Sequence, residues 1–331
     1  MADLVAVTGA DGFIGSHLVE ALVTAGYRVR AMAFYNSMGT WGWLEDLEPD
    51  VWGSVEVHPG DIRDRDSVLS LMREATVVYH LAALTAVPYS YRAPTSYIGT
   101  NVAGTLNVLE SARVLGTPRI VHTSTSAVYG TARTVPIDEC HPLQAQSPYA
   151  ASKIAADKLA ESYHLSYELP VVVLRPFNTY GPRQSARSVI PAVVSQAAAG
   201  VKDIKVGSLS PVRDFTYVAD TANALLRAGT APCEQVVGEV LNAGSGRGIS
   251  VADLVWLVGE VMAVKLQAVV DPQRLRPLRS EVMQLVCDST RLEKLTGWQP
   301  EHSLEEGLGS TAAWFSNPEN LGRYKTNVYN I

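Results

Sequence analysis

Apolar residues along this chain come in short unbroken runs, separated by longer stretches in which they recur every three or four positions. The runs Leu4–Thr8, Val29–Ala33, Val55–His58, Val77–Ala83, Ile120–Ser124 and Val171–Leu174 read as strands. They are apolar at nearly every position, as strands covered on both faces should be. Helical spacing falls between them, over Phe13–Ala25, Ser67–Glu74, Tyr97–Leu115 and Tyr149–Tyr167. Strand and helix in alternation predict an α/β fold, a Rossmann-like doubly wound parallel sheet. Past Pro176 the texture changes. Gly181, Pro182, Gly207 and Pro211 punctuate the chain, and helices are expected over Ser250–Ala263 and Ser303–Phe315, each opened by a serine suited to cap it. Val240–Asn242 reads as a return to the sheet. The expected organisation is a dinucleotide-binding domain over residues 1–176, rejoined by segments near 213–243, with a smaller interleaved substrate-binding lobe over 177–331. The polar stretch Asn317–Ile331 is expected to be a loosely packed tail.

Composition narrows the class. The 331 residues are 47% hydrophobic and 18% charged, enough apolar mass for one large α/β unit or two lobes. A formal net charge of −6, with no cluster of Lys or Arg, argues against a nucleic-acid partner. Cys140, Cys233 and Cys287 are too far apart for a zinc site, and an odd count gives no disulfide framework, so no metal is expected. No apolar run reaches the roughly 18 residues of a membrane span, and no leader pattern opens the chain. A cytoplasmic protein is expected.

Gly9-Ala10-Asp11-Gly12-Phe13-Ile14-Gly15 lies between the first strand and the first helix. Gly9 allows the tight turn, Gly12 lets backbone approach a pyrophosphate, and Gly15 lets helix pack closely on strand. The pyrophosphate would meet free amides at the helix start, including those of Phe13 and Ile14. At the end of the second strand, where a carboxylate would bind the 2′-hydroxyl of NAD, stands Ala33. Asn36 and Ser37 follow and could bond either a hydroxyl or a phosphate, so NAD and NADP both stay open. Asp61 and Ile62, after the third strand, are placed to touch adenine; Asp61 could equally be a cap.

Tyr149 and Lys153 stand four apart on one face of an expected helix. A nearby ammonium stabilises a phenolate and lowers its pKa. Ser124 and Thr125 end the fifth strand, where a hydroxyl could bridge Tyr149 to a substrate oxygen. Hydroxyl, tyrosine and lysine together suit a proton transfer coupled to hydride transfer onto a nicotinamide.

These residues and the motifs around them resemble the extended short-chain dehydrogenases/reductases, the NAD-dependent nucleotide-sugar epimerase/dehydratase family. The matching pieces are TGADGFIGSHL near the start, GDIRD at 60–64, HLAAL at 80–84, TSTSAVYG at 123–130, SPYAASK at 147–153, RPFNTYGPRQ at 175–184 and RDFTYVAD at 213–220. The segments YNSMGTWGWLE, PYSYRAP, TYGPRQSARSVIP and RLRPLRSEV look most like 4,6-dehydratases of UDP-N-acetylglucosamine of the legionaminic-acid type. The resemblance implies a tightly bound NAD, with Leu81, Ala82, Ala83, Asn101, Thr123 and Pro176 along it. It implies a UDP-linked sugar as substrate and a homodimer paired through the helices over Tyr97–Leu115 and Tyr149–Tyr167. It implies that Thr125 assists Tyr149, that Asn178 meets the sugar or its phosphate, and that Arg213 and Arg276 clamp the diphosphate, a task suited to guanidinium forks. Arg187 and Val189 fall in the same substrate segment. Tyr89, Tyr91 and Arg92, on the loop after the fourth strand, are candidates for the sugar.

One position departs from the pattern. In the dehydratases a carboxylate pair, or a Ser–Glu pair, follows the active threonine. Here Thr125 is followed by Ser126 and Ala127, and alanine moves no proton. Loss of a general base costs roughly 10²–10⁴-fold in rate. A 4-epimerase needs no such base, and small residues here are what the family's epimerases show. The local chemistry therefore favours a 4-epimerase with Thr125, Ser126, Tyr149 and Lys153 as its catalytic group. A 4,6-dehydratase remains open, using Glu139 or His141 as its base or having had its glutamate replaced by alanine. A silent nucleotide-sugar or NADP-binding regulator is the third reading.

Overall fold

A computed structural model describes residues 2–330. Seven strands form one parallel sheet: β1 (Leu4–Thr8), β2 (Arg28–Phe34), β3 (Val55–Gly60), β4 (Val77–His80), β5 (Ile120–Thr123), β6 (Val171–Pro176) and β7 (Val240–Ala243). Their order is β7-β6-β5-β4-β1-β2-β3, so the chain changes direction across the sheet between β1 and β4. In such sheets ligands bind outside the carboxyl ends of the strands at that switch point.

Alternation along each strand feeds two apolar layers. Val5 and Val7 pack with Leu18 and Leu22 of α1 (Phe13–Thr24). Ala6 faces the opposite layer, with Val68 and Leu71 of α2 (Arg65–Met72) and Val108 and Leu109 of α3 (Gly104–Leu115). The next long helix, α4 (Pro148–Tyr167), starts where Ser147 accepts a hydrogen bond from the Ala150 amide and Pro148 takes the first position.

Two element boundaries differ from expectation. β4 ends at His80, because the Leu81 and Ala82 amides both turn to the Thr8 hydroxyl, at 3.1 Å each. The helix expected over Tyr97–Leu115 is broken: a short turn at Pro94–Tyr97 leads into a π-helical stretch at Ile98–Ala103 before α3 begins. The widened turn carries Asn101, whose amide bonds Leu84 N, Leu84 O and the Ser152 hydroxyl.

The second half of the chain contributes to both regions. The helix Val218–Thr230 lies on the first apolar layer beside α1 through Leu225. Leu292 and Trp298 come back to the same layer, and the Trp298 indole donates to Asp220 O at 3.0 Å. A separate core joins Val193, Leu254, Leu308 and Phe315. Its helices Val251–Val261 and Leu304–Ser316 are capped by Ser250 and Ser303, the latter in a reciprocal capping box with Glu306.

The loose tail expected from Asn317 onward is not what forms; Ile331 lies outside the described residues. Asn317 caps a turn of helix at Pro318–Gly322, and Leu321 and Tyr324 pack on the second core. Tyr324 meets Trp314 and Phe315 edge-on and stacks with Trp43, 6.5 Å between centroids. Arg323 lies over Trp43 and pairs with Asp46 at 2.5 Å. Polar composition hid one aromatic anchor that outweighs it. Among the described residues no helix is long and apolar enough to cross a membrane, and no cluster of metal ligands occurs.

Candidate active site

The glycine-rich turn is as tight as the motif requires. Gly9 holds φ +66°, and a β-carbon there would come within 2.8 Å of the Ala82 amide. A β-carbon at Gly15 would stand 2.1 Å from the Gly9 carbonyl oxygen. No side chain caps α1, so the first amides, at Phe13 and Ile14, are left for an outside acceptor. This cradle fits a dinucleotide pyrophosphate. Gly15→Ala should therefore cost at least about 1–3 kcal/mol of stability through overpacking. The purified variant should also lose its bound dinucleotide, read from the absorbance ratio and the melting curve. Normal cofactor content with an unchanged melt would count against this account of the turn.

Several residues expected to touch the cofactor are occupied elsewhere. Asp11 accepts from the Phe34 amide at 3.0 Å and so ties the turn to the end of β2; burial raises its pKa and that amide restrains the rise. Asn36 folds into its own loop, donating to Phe34 O and Thr40 O and accepting from Met38 N, so its amide is not free for the ribose. Ser37 beside it is exposed. Asp61 is gripped by Arg63, which holds its carboxyl below the usual range. Ile62 buries its side chain in the second apolar layer against Gly104, at the carboxyl end of β3. Asn101 spends its side-chain amide on pinning Leu84 to α4 and so holds the crevice wall in place. Leu81, Ala82 and Ala83 line the switch point half-buried, and Thr123 and Pro176 end β5 and β6.

Tyr149 and Lys153 sit one turn apart on α4, 8% and 3% exposed. Lys153 Nζ donates to the Thr123 carbonyl at 2.7 Å. Burial lowers the lysine pKa to about 8, with Asp157 pulling it back up. Burial raises that of Tyr149 to about 12, against the pull of a hydrogen bond to Thr125. The sequence pattern led us to expect the opposite shift for the tyrosine. In the chain alone the lysine's charge is spent on a carbonyl and desolvation dominates. Thr125 accepts from the Ala127 amide at 3.2 Å, leaving its own proton for Tyr149 or a substrate oxygen.

The hydroxyl run alternates in exposure. Thr123, Thr125 and Ala127 are partly accessible, whereas Ser124 and Ser126 are buried. Ser124 and Ser126 thus fall behind the reacting surface; Ser124 lies beside Asp157 beneath the site. Both alternative bases are engaged within the chain. His141 accepts the Arg133 amide on Nε2 at 2.9 Å and bonds Pro142 O through Nδ1, which fixes a neutral tautomer. Glu139 accepts the Asn242 amide at 2.8 Å and pairs with Arg291.

Two features escaped the sequence reading. Tyr97 packs its ring edge-on against Tyr149, 6.2 Å between centroids. Asp157, one further turn along α4, carries a fully buried charge. It accepts from Arg175 at 3.1 Å and from His122 Nε2 at 3.2 Å. Arg175 also donates to the Tyr129 hydroxyl, which donates to Asn242. The spacing Tyr149, Lys153, Asp157 repeats the same four-residue step and could have drawn attention to the carboxylate.

Residues expected around the sugar surround the cleft unevenly. Tyr89 and Tyr91 are about two-fifths exposed, and Tyr91 bonds the Ser280 hydroxyl across the cleft at 2.5 Å. Arg92 and Arg187 are exposed, with Arg187 an electrostatic neighbour of Tyr97. Val189 starts a helix and packs its side chain toward the second core, and Asn178, half-buried, donates one bond to Asp214 O at 2.9 Å. Arg213 and Arg276 do converge, but on a carboxylate of the chain itself, Glu281, at 3.2 and 3.8 Å.

A nicotinamide-dinucleotide cradle opening onto a buried Tyr–Lys pair defines an oxidoreductase-type site of the short-chain dehydrogenase kind. The profile of the GDP-mannose 4,6 dehydratase family matches residues 6–311, and the chain belongs to that family of NAD-dependent nucleotide-sugar epimerases and dehydratases. A UDP-glucose 4-epimerase of Mycolicibacterium smegmatis is 34% identical over 94% of this chain and 98% of its own. A dTDP-glucose 4,6-dehydratase of Streptomyces antibioticus is 35% identical over 93% and 91%. The solved UDP-glucose 4-epimerase of Thermus thermophilus, a complex with NAD, is 31% identical with a TM-score of 0.83 over 95% and 99%. The chain is thus an NAD-dependent enzyme acting on a nucleotide sugar.

Proposed function

We propose that the enzyme is a nucleotide-sugar 4-epimerase, working through a transient 4-ketosugar on a UDP-hexose, UDP-hexosamine or UDP-uronate. The observation that carries this reading is Ala127 on the accessible side of the turn after Thr125, with Glu139 and His141 both held by other partners. In this reading Tyr149 takes the 4-hydroxyl proton, helped by Thr125, and returns it after the sugar has turned over. Lys153 fixes the crevice wall through Thr123 and supplies positive charge near the phenol. Bound in the cradle, NAD would supply the hydride acceptor for C4 and a positive charge that favours the Tyr149 phenolate. Tight retention of NAD belongs to the same cycle, since it ends the turnover as it began. Two copies paired through α3 and α4 belong to this reading too, supported by the exposed Leu106 on α3, Leu165 on α4 and Ile98 on the stretch that leads into α3.

The 35% identical dTDP-glucose 4,6-dehydratase keeps a second reading in play, in which the ketosugar loses water. Incubation with UDP-glucose, UDP-N-acetylglucosamine and UDP-glucuronate, followed by mass spectrometry and NMR, separates the two. Unchanged mass with inverted C4 is the expected result; loss of one water would replace epimerase by dehydratase. Ala127→Glu restores the missing acid–base group and should add a slow dehydration product. Its absence would mean that more than one side chain separates the two reactions here.

A further inference from the structure

We infer that the C-terminal segment Asn317–Asn330 is a strap across the nucleotide-sugar cleft, and that Tyr329 is a binding residue at the arginine cluster that takes the substrate's diphosphate. The inference rests on the nucleotide-sugar reading above.

The strap has a fixed end and a working end. Tyr324, between Trp43, Trp314 and Phe315, is the fixed end. From there the five residues to Tyr329 can span up to about 17 Å when extended. They carry the chain to the Arg274 guanidinium, which lies over the Tyr329 ring at 5.1 Å while Asp271 holds it at 3.2 Å. Arg276, Arg92 and Tyr91 are the other charged or titratable neighbours of the Tyr329 phenol. Burial raises the pKa of that phenol and the arginines restrain the rise, so it is a hydrogen-bond donor at neutral pH.

The charge at this place is unbalanced. Arg92, Arg213, Arg274 and Arg276 contribute four positive charges, and Asp271 and Glu281 two negative ones. The surplus of two suits a diphosphate. Arg276 keeps a third of its side chain exposed, and at 3.8 Å its contact with Glu281 is longer than a hydrogen bond. The cluster also connects to the reacting end. Ser280 bonds Tyr91 on one side and the Gln146 carbonyl on the other, and Gln146 immediately precedes the cap of the catalytic helix. A diphosphate drawn to these arginines would lie under Tyr329, which closes the cleft behind it. Such closure suits an enzyme that must keep a ketosugar until it is reduced again.

The test uses the full-length NAD-loaded enzyme and calorimetric titration with UDP, dTDP and GDP. For whichever nucleotide the wild type binds, Tyr329→Ala should weaken binding about tenfold, the size of one lost hydrogen bond from its phenol to a charged phosphate. Tyr329→Phe keeps the ring over Arg274 but lacks the phenol donor, so it should show most of the same loss. Trypsin gives a second readout, because Arg323 and Lys325 flank the anchor. The nucleotide should slow cleavage there in the wild type and fail to do so in Tyr329→Ala. Wild-type affinity in the alanine variant, or cleavage indifferent to nucleotide, would overturn the strap while leaving the enzyme's assignment intact. A wild type that binds none of the three nucleotides would overturn both.

Discussion

Tyr149→Phe should lower turnover of a nucleotide sugar by roughly 10²–10⁴-fold, the usual contribution of a positioned acid–base group. Its fold and its NAD content should be unchanged. The substitution removes one oxygen and leaves the ring against Tyr97 at the same place. Thr125 loses its bond to the phenol but keeps the Ala127 amide. No neighbouring hydroxyl can substitute: Thr123 carries no charge partner, and Ser124 and Ser126 are buried away from the accessible side. Initial rates with a UDP-sugar, beside the melting temperature and the cofactor absorbance, check this. A Phe variant that retains most of its activity would remove Tyr149 from the chemistry altogether.

Asp157→Asn is expected to lower the free energy of unfolding by about 3–5 kcal/mol, the cost of breaking a buried ion pair from one side. The side chain stays the same size, so packing is not what changes. Arg175 would be left as a buried charge facing a neutral amide. His122 cannot compensate, since burial lowers its pKa and keeps it neutral. Urea unfolding at neutral pH gives the number. A pH series gives an independent sign. Burial acts to raise the Asp157 pKa, but His122 and Arg175 outweigh it and hold the carboxyl below its ordinary value. Its contribution is therefore complete above the ordinary aspartate range and is lost as pH falls through the lowered pKa. The Asn variant should lack that part of the acid slope. A loss under about 1 kcal/mol would mean that water reaches the pair.

The fold was open to reading because its signals are local. Each buried strand is a short apolar run, and the glycine turn, Ser147-Pro148 and Ser303–Glu306 announce helix starts by chemistry that acts within four residues. What stayed hidden depends on partners far away in the chain. Nothing near Trp298 or Tyr324 says which core will receive them. The π-helical stretch at Asn101 exists because Leu84 and Ser152 claim its amide, and neither lies within its helix. The site divides the same way. Tyr149, Lys153 and the absent glutamate at Ala127 are visible in one dimension. That the side chains of Asn36, Ile62 and Asn101 have partners within the chain, and that Glu281 sits between the two arginines, depends on which side each residue turns. Residue type alone could not supply the direction of the pKa shift at Tyr149, because desolvation is a property of the surroundings.

The pairing of Trp43 and Asp46 with the segment around Tyr324 has a consequence for synthesis. Asp46 and Arg323 lie 277 positions apart. At a translation rate of about 5–20 residues per second, the loop beside the dinucleotide cradle waits roughly 15–55 seconds on the ribosome for its partner. Trp43 is uncovered until Trp314, Arg323 and Tyr324 have been made. A message cut short before the codon for Arg323 would yield a chain with an assembled cradle and the Trp43 indole lacking both Arg323 and Tyr324. Such a chain presents to quality control the kind of apolar surface that chaperones hold.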